Sequence, residues 1–140
     1  MKILLALDGS DYSKRMLAYI AAHDELLGAS NEYTLFTAVP PVPAHAARYV
    51  DPENLKSYYL EQAKQVLDTA EAFAHQQKWN VHTAHVAAHA AQAIAEFAER
   101  GGFDLIVMGT RGHSSLANMV LGSVSTGVLA RCKVPTLLVP

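Results

Sequence analysis

The sequence predicts an α/β fold: a parallel sheet of five strands covered by helices on both faces. Two observations carry this. Short apolar, β-branched runs alternate with helical periodicities along the whole chain, in the order β-α-β-α-β-α-β-α-β. The most apolar run, Phe103-Asp-Leu-Ile-Val-Met108, leads into a ladder of glycines and a hydroxyl-bearing helix start. Parallel strands need right-handed crossovers, which the intervening helices supply. The chain's 140 residues suit one domain with one core, and no repeat or linker divides 1–140.

Each element has its own signal. Lys2 to Leu7 reads as a strand, and Asp8-Gly-Ser-Asp11 as a turn ending in an N-cap, Ser10 or Asp11. Residues 12 to 27 carry Met16, Leu17, Ile20 and Leu27 on one face of a helix, which Gly28 to Asn31 stops. Tyr33 to Val39 is rich in β-branched and aromatic residues and forms the second strand. Pro40, Pro41 and Pro43 open a long connection, expected as a mobile flap over the strand ends. Pro52 and Glu53 start a helix with the stripe Leu60, Ala63, Leu67, Ala70 and Ala74. Tyr58 and Tyr59 are expected to pack, and Trp79 to sit at the helix end. Val81 to Ala87 is the third strand. A helix from Ala91 to Arg100 turns Ile94, Phe97 and Ala98 inward and closes at Gly101-Gly102. Phe103 to Met108, a helix from about Ser123 to Arg131, and Pro135 to Val139 complete the chain.

Composition excludes several classes. Eleven basic and thirteen acidic residues give a net charge of -2, and no Lys/Arg run exists, so nucleic acid is not an expected partner. Asp8 interrupts the first apolar run after five residues, too short for a signal-peptide core, and no segment has the length of a membrane span. No membrane insertion is expected, and the expected location is the cytoplasm. The single cysteine, Cys132, reads as a small buried residue in a reducing compartment. His82, His85 and His89 form the one histidine cluster. The first two point to opposite faces of a strand, so a shared metal site is not expected.

The ladder carries the chemistry. Two residues separate Gly109 from Gly112, and nine separate Gly112 from Gly122, which precedes Ser123. Glycines let backbone N–H groups approach oxygen atoms, and a helix N-terminus adds unpaired donors and partial positive charge. These parts suit a phosphate chain. A Walker Gly-x-x-x-x-Gly-Lys-Ser/Thr and a Rossmann Gly-x-Gly-x-x-Gly are both absent. Ligands of such sheets sit beyond the C-terminal strand ends where the winding reverses. If strand one lies beside strand four, Asp8-Gly-Ser10 faces the loop from Gly109. Ser114 and Ser115 read as polar loop filler.

The chain resembles the universal stress proteins, in their nucleotide-binding branch. The likeness rests on Leu7-Asp-Gly-Ser10, Asp104-Leu-Ile-Val-Met-Gly109, the ladder ending in Gly122-Ser123, and Cys132-Lys-Val-Pro-Thr-Leu-Leu-Val139, and it spans the chain. It implies strand order 3-2-1-4-5, a homodimer, and ATP at the strand ends. By motif position it places Asp8 near the nucleotide, where it can help hold a metal. It implies that Val39 meets the adenine through its backbone and that Met108 and Gly109 line base and ribose. Gly112, Gly122 and the helix start Ser123-Val124-Ser125 would hold the phosphates, and Arg111 and His113 would shield their charge. One departure is Ala88, where the family often has glycine before the third helix.

A carboxylate beside phosphates repels them, so Asp8 is expected to bridge through Mg²⁺ or to contact the sugar instead. The short apolar strand Pro135–Val139 is expected at the sheet edge, where it would pair with a second copy. The leading functional reading is a regulatory homodimer whose ATP-ordered surface an unidentified protein partner recognises. The alternatives are a slow ATPase or self-phosphorylating protein, and an interaction module with an empty site.

Overall fold

A computed structural model of the chain describes residues 1–113 and 116–140; the reading of Ser114 and Ser115 lies outside the described residues. The five strands are β1 (Lys2–Ala6), β2 (Glu32–Val39), β3 (Asn80–Ala87), β4 (Leu105–Gly109) and β5 (Thr136–Val139). All pair in parallel, in the order β3-β2-β1-β4-β5. The predicted fold class is the observed one. β1 lies between β2 and β4, so the winding direction reverses at its two sides and the crevice opens at its C-terminal end.

Strand alternation builds two core layers. Ile3, Leu5 and Leu7 pack on one face with helices α1 (Asp11–Ala22) and α4 (Pro52–Gln76). Leu4 and Ala6 pack on the other with α5 (Ala90–Arg100) and α6 (Ser123–Arg131). Both faces of the central strands are therefore covered, which explains their continuous apolar sequence. Trp79 is buried at the end of α4, its ring 4.9 Å from Tyr33 and 5.8 Å from Phe73.

Several expectations are corrected. The first helix stops at Ala22, because His23 leaves helical geometry (φ -121°, ψ 54°), and a four-residue helix α2 (Asp24–Leu27) then carries Leu27 into the core. The strand after Gly102 begins at Leu105. Phe103 and Asp104 form its approach, and the Asp104 carboxylate accepts the Lys2 N–H at 2.8 Å. Leu60 is 43% exposed, whereas Ala63, Leu67, Ala70 and Ala74 are buried. The reason is length: a 25-residue helix runs about 37 Å, and the eight-residue strands beneath it about 26 Å. Its first turns overhang the sheet. Cys132 is half-buried, its Sγ 3.9 Å from the Ala95 carbonyl. The proline-rich connection contains a short helix, α3 (Ala44–Ala47), which the periodicity did not reveal. Tyr59 ties this connection down, its hydroxyl accepting the Val42 N–H at 2.9 Å. Tyr58 stays exposed. Among the described residues, no helix is long and apolar enough to cross a membrane.

Candidate functional site

The crevice forms where β1 and β4 end side by side. Its Asp8 wall is a turn built by its own polar groups. The Asp8 carboxylate oxygen Oδ1 accepts the Ser10 N–H and the Ser13 hydroxyl, both at 2.9 Å, and the Ser13 Oγ accepts the Asp8 N–H at 3.0 Å. Between them Gly9 takes φ +78°, a left-handed conformation that suits glycine. Ser10 stands at the N-cap position of α1 but its hydroxyl makes no capping bond. Burial pushes the Asp8 carboxyl up, but hydrogen bonds from Ser10 and Ser13 and the nearby His113 outweigh it, leaving the carboxyl below its ordinary value. Asp8 is thus a carboxylate with Oδ1 engaged and Oδ2 turned towards Gly112.

The opposite wall is the ladder. Gly112 passes so close that a Cβ there would strike Asp8 Oδ2. The His113 Nε2–H donates to the Asp8 carbonyl at 2.7 Å and fastens the loop to the turn. The Gly122 N–H donates to the Thr110 carbonyl at 2.7 Å, folding the far end of the loop back on its start. Ser125 completes the clasp: its hydroxyl lies 3.0 Å from each of the Gly109 and Thr110 carbonyls. What Ser125 offers the crevice is therefore its backbone N–H. Gly122 is the N-cap of α6 and makes no side-chain cap, so the first N–H groups of the helix stay available.

The crevice encloses about 200 Å³. Phe36, Ala38, Ala90, Ile94, Met108 and Val124 make an apolar side. Asp8, Ser13, Arg111, Gly112, His113 and the helix start make a polar one. Of the residues singled out in the sequence, ten line this one space: Asp8, Met108, Gly109, Arg111, Gly112, His113, Gly122, Ser123, Val124 and Ser125. Val39 does not. Its side chain lies in the opposite core layer and its carbonyl accepts the Ala88 N–H at 3.0 Å; Ala38 lines the crevice instead. Ala88 forms its turn without a positive φ, so glycine is not needed there. Ser13 escaped the sequence reading, although a hydroxyl five residues after a strand-ending aspartate is the available signal. Arg111 Nε is buried and, among the described residues, has no hydrogen-bond partner. A buried donor left unmade costs about 1–3 kcal/mol. An anion in the crevice would satisfy it.

A family model described as the universal stress protein family matches residues 1–140. The chain belongs to the universal stress protein family. A relative from Thermus aquaticus, the universal stress protein in the QAH/OAS sulfhydrylase 3' region, is 38% identical over 137 residues, covering 98% of this chain and 96% of its own. Among solved structures, hypothetical protein MJ0577 superposes with a TM-score of 0.79 at 26% identity, covering 99% of this chain and 94% of that one. A universal stress protein from Arabidopsis thaliana with AMP bound (TM-score 0.70, 13% identity, 99% and 90% covered) shares the fold. So does one in complex with cAMP (TM-score 0.66, 24% identity, 100% and 96% covered). Universal stress proteins of this fold thus carry adenine nucleotides in some solved cases.

Proposed function

We propose that this universal stress protein binds an adenine nucleotide, ATP among them, in the crevice between the Asp8 turn and the glycine ladder. The observation that carries the reading is the two-sided lining. An apolar side suits a base, and it meets a polar side of backbone N–H groups, Arg111 and His113 that suits phosphates. The nucleotides held by two relatives of the same fold support it. On this reading Met108 and Gly109 line base and ribose, and Gly112, Gly122 and Ser123 to Ser125 hold the phosphates. The backbone of Val39 is turned to β3, its carbonyl accepting the Ala88 N–H and its N–H pointing the same way in the parallel ladder, so it offers the base nothing. Asp8 Oδ2, which accepts no hydrogen bond among the described residues, fits a ribose hydroxyl. It equally fits Mg²⁺, which takes few protein ligands and fills its shell from phosphates and water.

The nucleotide would act as a signal. It adds partners to the loop from Gly109 to Leu121, and that surface is what another protein reads, through affinity that differs between filled and empty states. β5 lies at the sheet edge with its outer side unpaired among the described residues, which supports a homodimer formed through that strand. The test is to denature freshly purified protein and identify released small molecules by chromatography and mass spectrometry. ATP or AMP near one per chain is the expected result. No nucleotide, together with no heat on titrating ATP and Mg²⁺, would remove the reading and leave an interaction module.

A further inference from the structure

We propose that a groove between α1 and α4, behind the Asp8 turn, is a second binding site, for a small molecule with an apolar body and one anionic group. The site is independent of the nucleotide reading above; only its coupling to the crevice rests on that reading.

The strand order creates the groove. α4 packs over β2 and β3, and α1 over β4 and β5, which leaves a space between the helices at the end of β1. It measures about 450 Å³, inside the roughly 300–1,000 Å³ range of small-molecule sites. Its floor is buried and apolar: Leu7 after β1, Leu17 from α1 and Ala70 from α4. Val66 and Phe73 stand half-buried one turn to either side of Ala70, which puts only a methyl between them. At the mouth, Gln65 and Thr69 are exposed and offer hydrogen bonds. Among the described residues, Lys14 is the one charged residue of the lining, and no carboxylate joins it there. Its pair with Asp11, 3.8 Å apart and exposed on both sides, is weak, so the ammonium can turn to another anion. This chemistry selects the occupant. Apolar walls take an aromatic body or an alkyl chain, and a lone cation at the mouth takes a carboxylate or sulfonate.

Groove and crevice share a wall. Leu7 and Ser13 line both spaces. Ser13 holds Asp8 Oδ1 on the crevice side. On the groove side Gly9 sits against α4: a Cβ there would lie 3.4 Å from Val66 Cγ2. A molecule packed on Gly9 and Ser13 restrains the turn that presents Asp8, so a nucleotide arriving afterwards has less to order. Linkage makes the effect reciprocal.

The test titrates the full chain with anilinonaphthalene sulfonate, a fluorescent probe with an aromatic body and one sulfonate, and uses decanoate as competitor. The probe should bind once per chain, and decanoate should displace it. Thr69→Trp fills the groove from an exposed position and should weaken the probe at least about tenfold. Lys14→Gln should weaken it about two- to fivefold, and added salt should reproduce part of that loss. Saturating ATP and Mg²⁺ should tighten the probe about fivefold, and the probe should tighten ATP by the same factor. Both substituted positions are exposed, so urea midpoints near wild type are expected and separate lost binding from lost fold. Probe affinity unchanged in Thr69→Trp would overturn the proposal. So would a Thr69→Trp protein that runs as a smaller species on size-exclusion chromatography, because a second copy would then be the occupant. Probe affinity unchanged by bound ATP would overturn the coupling while the site stands. A protein that binds the probe but no nucleotide would overturn the nucleotide reading, and the coupling with it, but not the groove site.

Discussion

Gly112→Ala isolates one contact, because among the described residues beyond its two chain neighbours the added methyl would meet only Asp8 within 4 Å. Two responses are open to the chain. The carboxylate can swing away, losing the bonds from Ser10 and Ser13 to Oδ1. Asp8 is exposed, so these are worth about 1 kcal/mol each, at the low end for a charged acceptor. Alternatively the loop retreats and gives up the bond from His113 to the Asp8 carbonyl, again about 1 kcal/mol. Either way the variant should lose about 1–2 kcal/mol. That lowers the urea midpoint by roughly 0.5–1 M and Tm by about 3–8 °C. In an Asp8→Ala background the obstacle is gone, and Gly112→Ala should cost nothing or stabilise slightly through the unfolded chain. A double-mutant cycle read by urea unfolding should therefore give a coupling of about 1–2 kcal/mol. Additivity within about 0.5 kcal/mol would refute the argument, because it would mean that Gly112 does not lie against Asp8.

Three further outcomes are expected. The Asp8 carboxyl titrates below its ordinary value, so its stabilisation is complete above that value and is lost as pH falls through the lower folded one. Urea midpoints from about pH 5 to pH 2 should fall less steeply for Asp8→Asn than for wild type; parallel curves would contradict this. Ser125→Ala leaves the Gly109 and Thr110 carbonyls without their shared hydroxyl donor, and should cost about 1–2 kcal/mol and weaken nucleotide binding. Unchanged melting would show that the clasp is not made. Leu138→Lys puts a charge on the edge strand and should move the protein towards monomer on size-exclusion chromatography with its circular dichroism intact; an unchanged dimer would reject the β5 interface.

The fold was legible because its signals are local and periodic. Each crossover helix carries its own apolar stripe, and the buried strands are short enough to be told from helices. Failures came where tertiary position outweighs periodicity. Leu60 continues the stripe of α4 perfectly well, but the sheet beneath it has already ended. His23 sits in an unbroken helical pattern, yet the chain turns there so that Leu27 can reach the core. α3 is a single turn with no buried residue, so no stripe could announce it.

The site divides along the same line. Glycine spacing and a hydroxyl at a helix start are written into a continuous stretch, so the ladder could be read directly. What the ladder faces could not, because β1 and β4 are neighbours through pairings such as Ile3 with Leu105 and Ala6 with Met108, some hundred residues apart in sequence. Only that pairing brings Asp8 against Gly112 and Tyr12 against Gly109. The alternation of a strand also explains why Ala38 lines the crevice and Val39 does not: successive residues point to opposite faces, so a shift of one at a strand end exchanges ligand side for core side. For the same reason Ser13, which lines the crevice and holds Asp8, lies on α1 rather than on the loop. α1 begins where β1 ends, and its first turns are carried alongside β4 by the strand order itself. A helix so placed can alter which ligand the crevice prefers without changing the ladder.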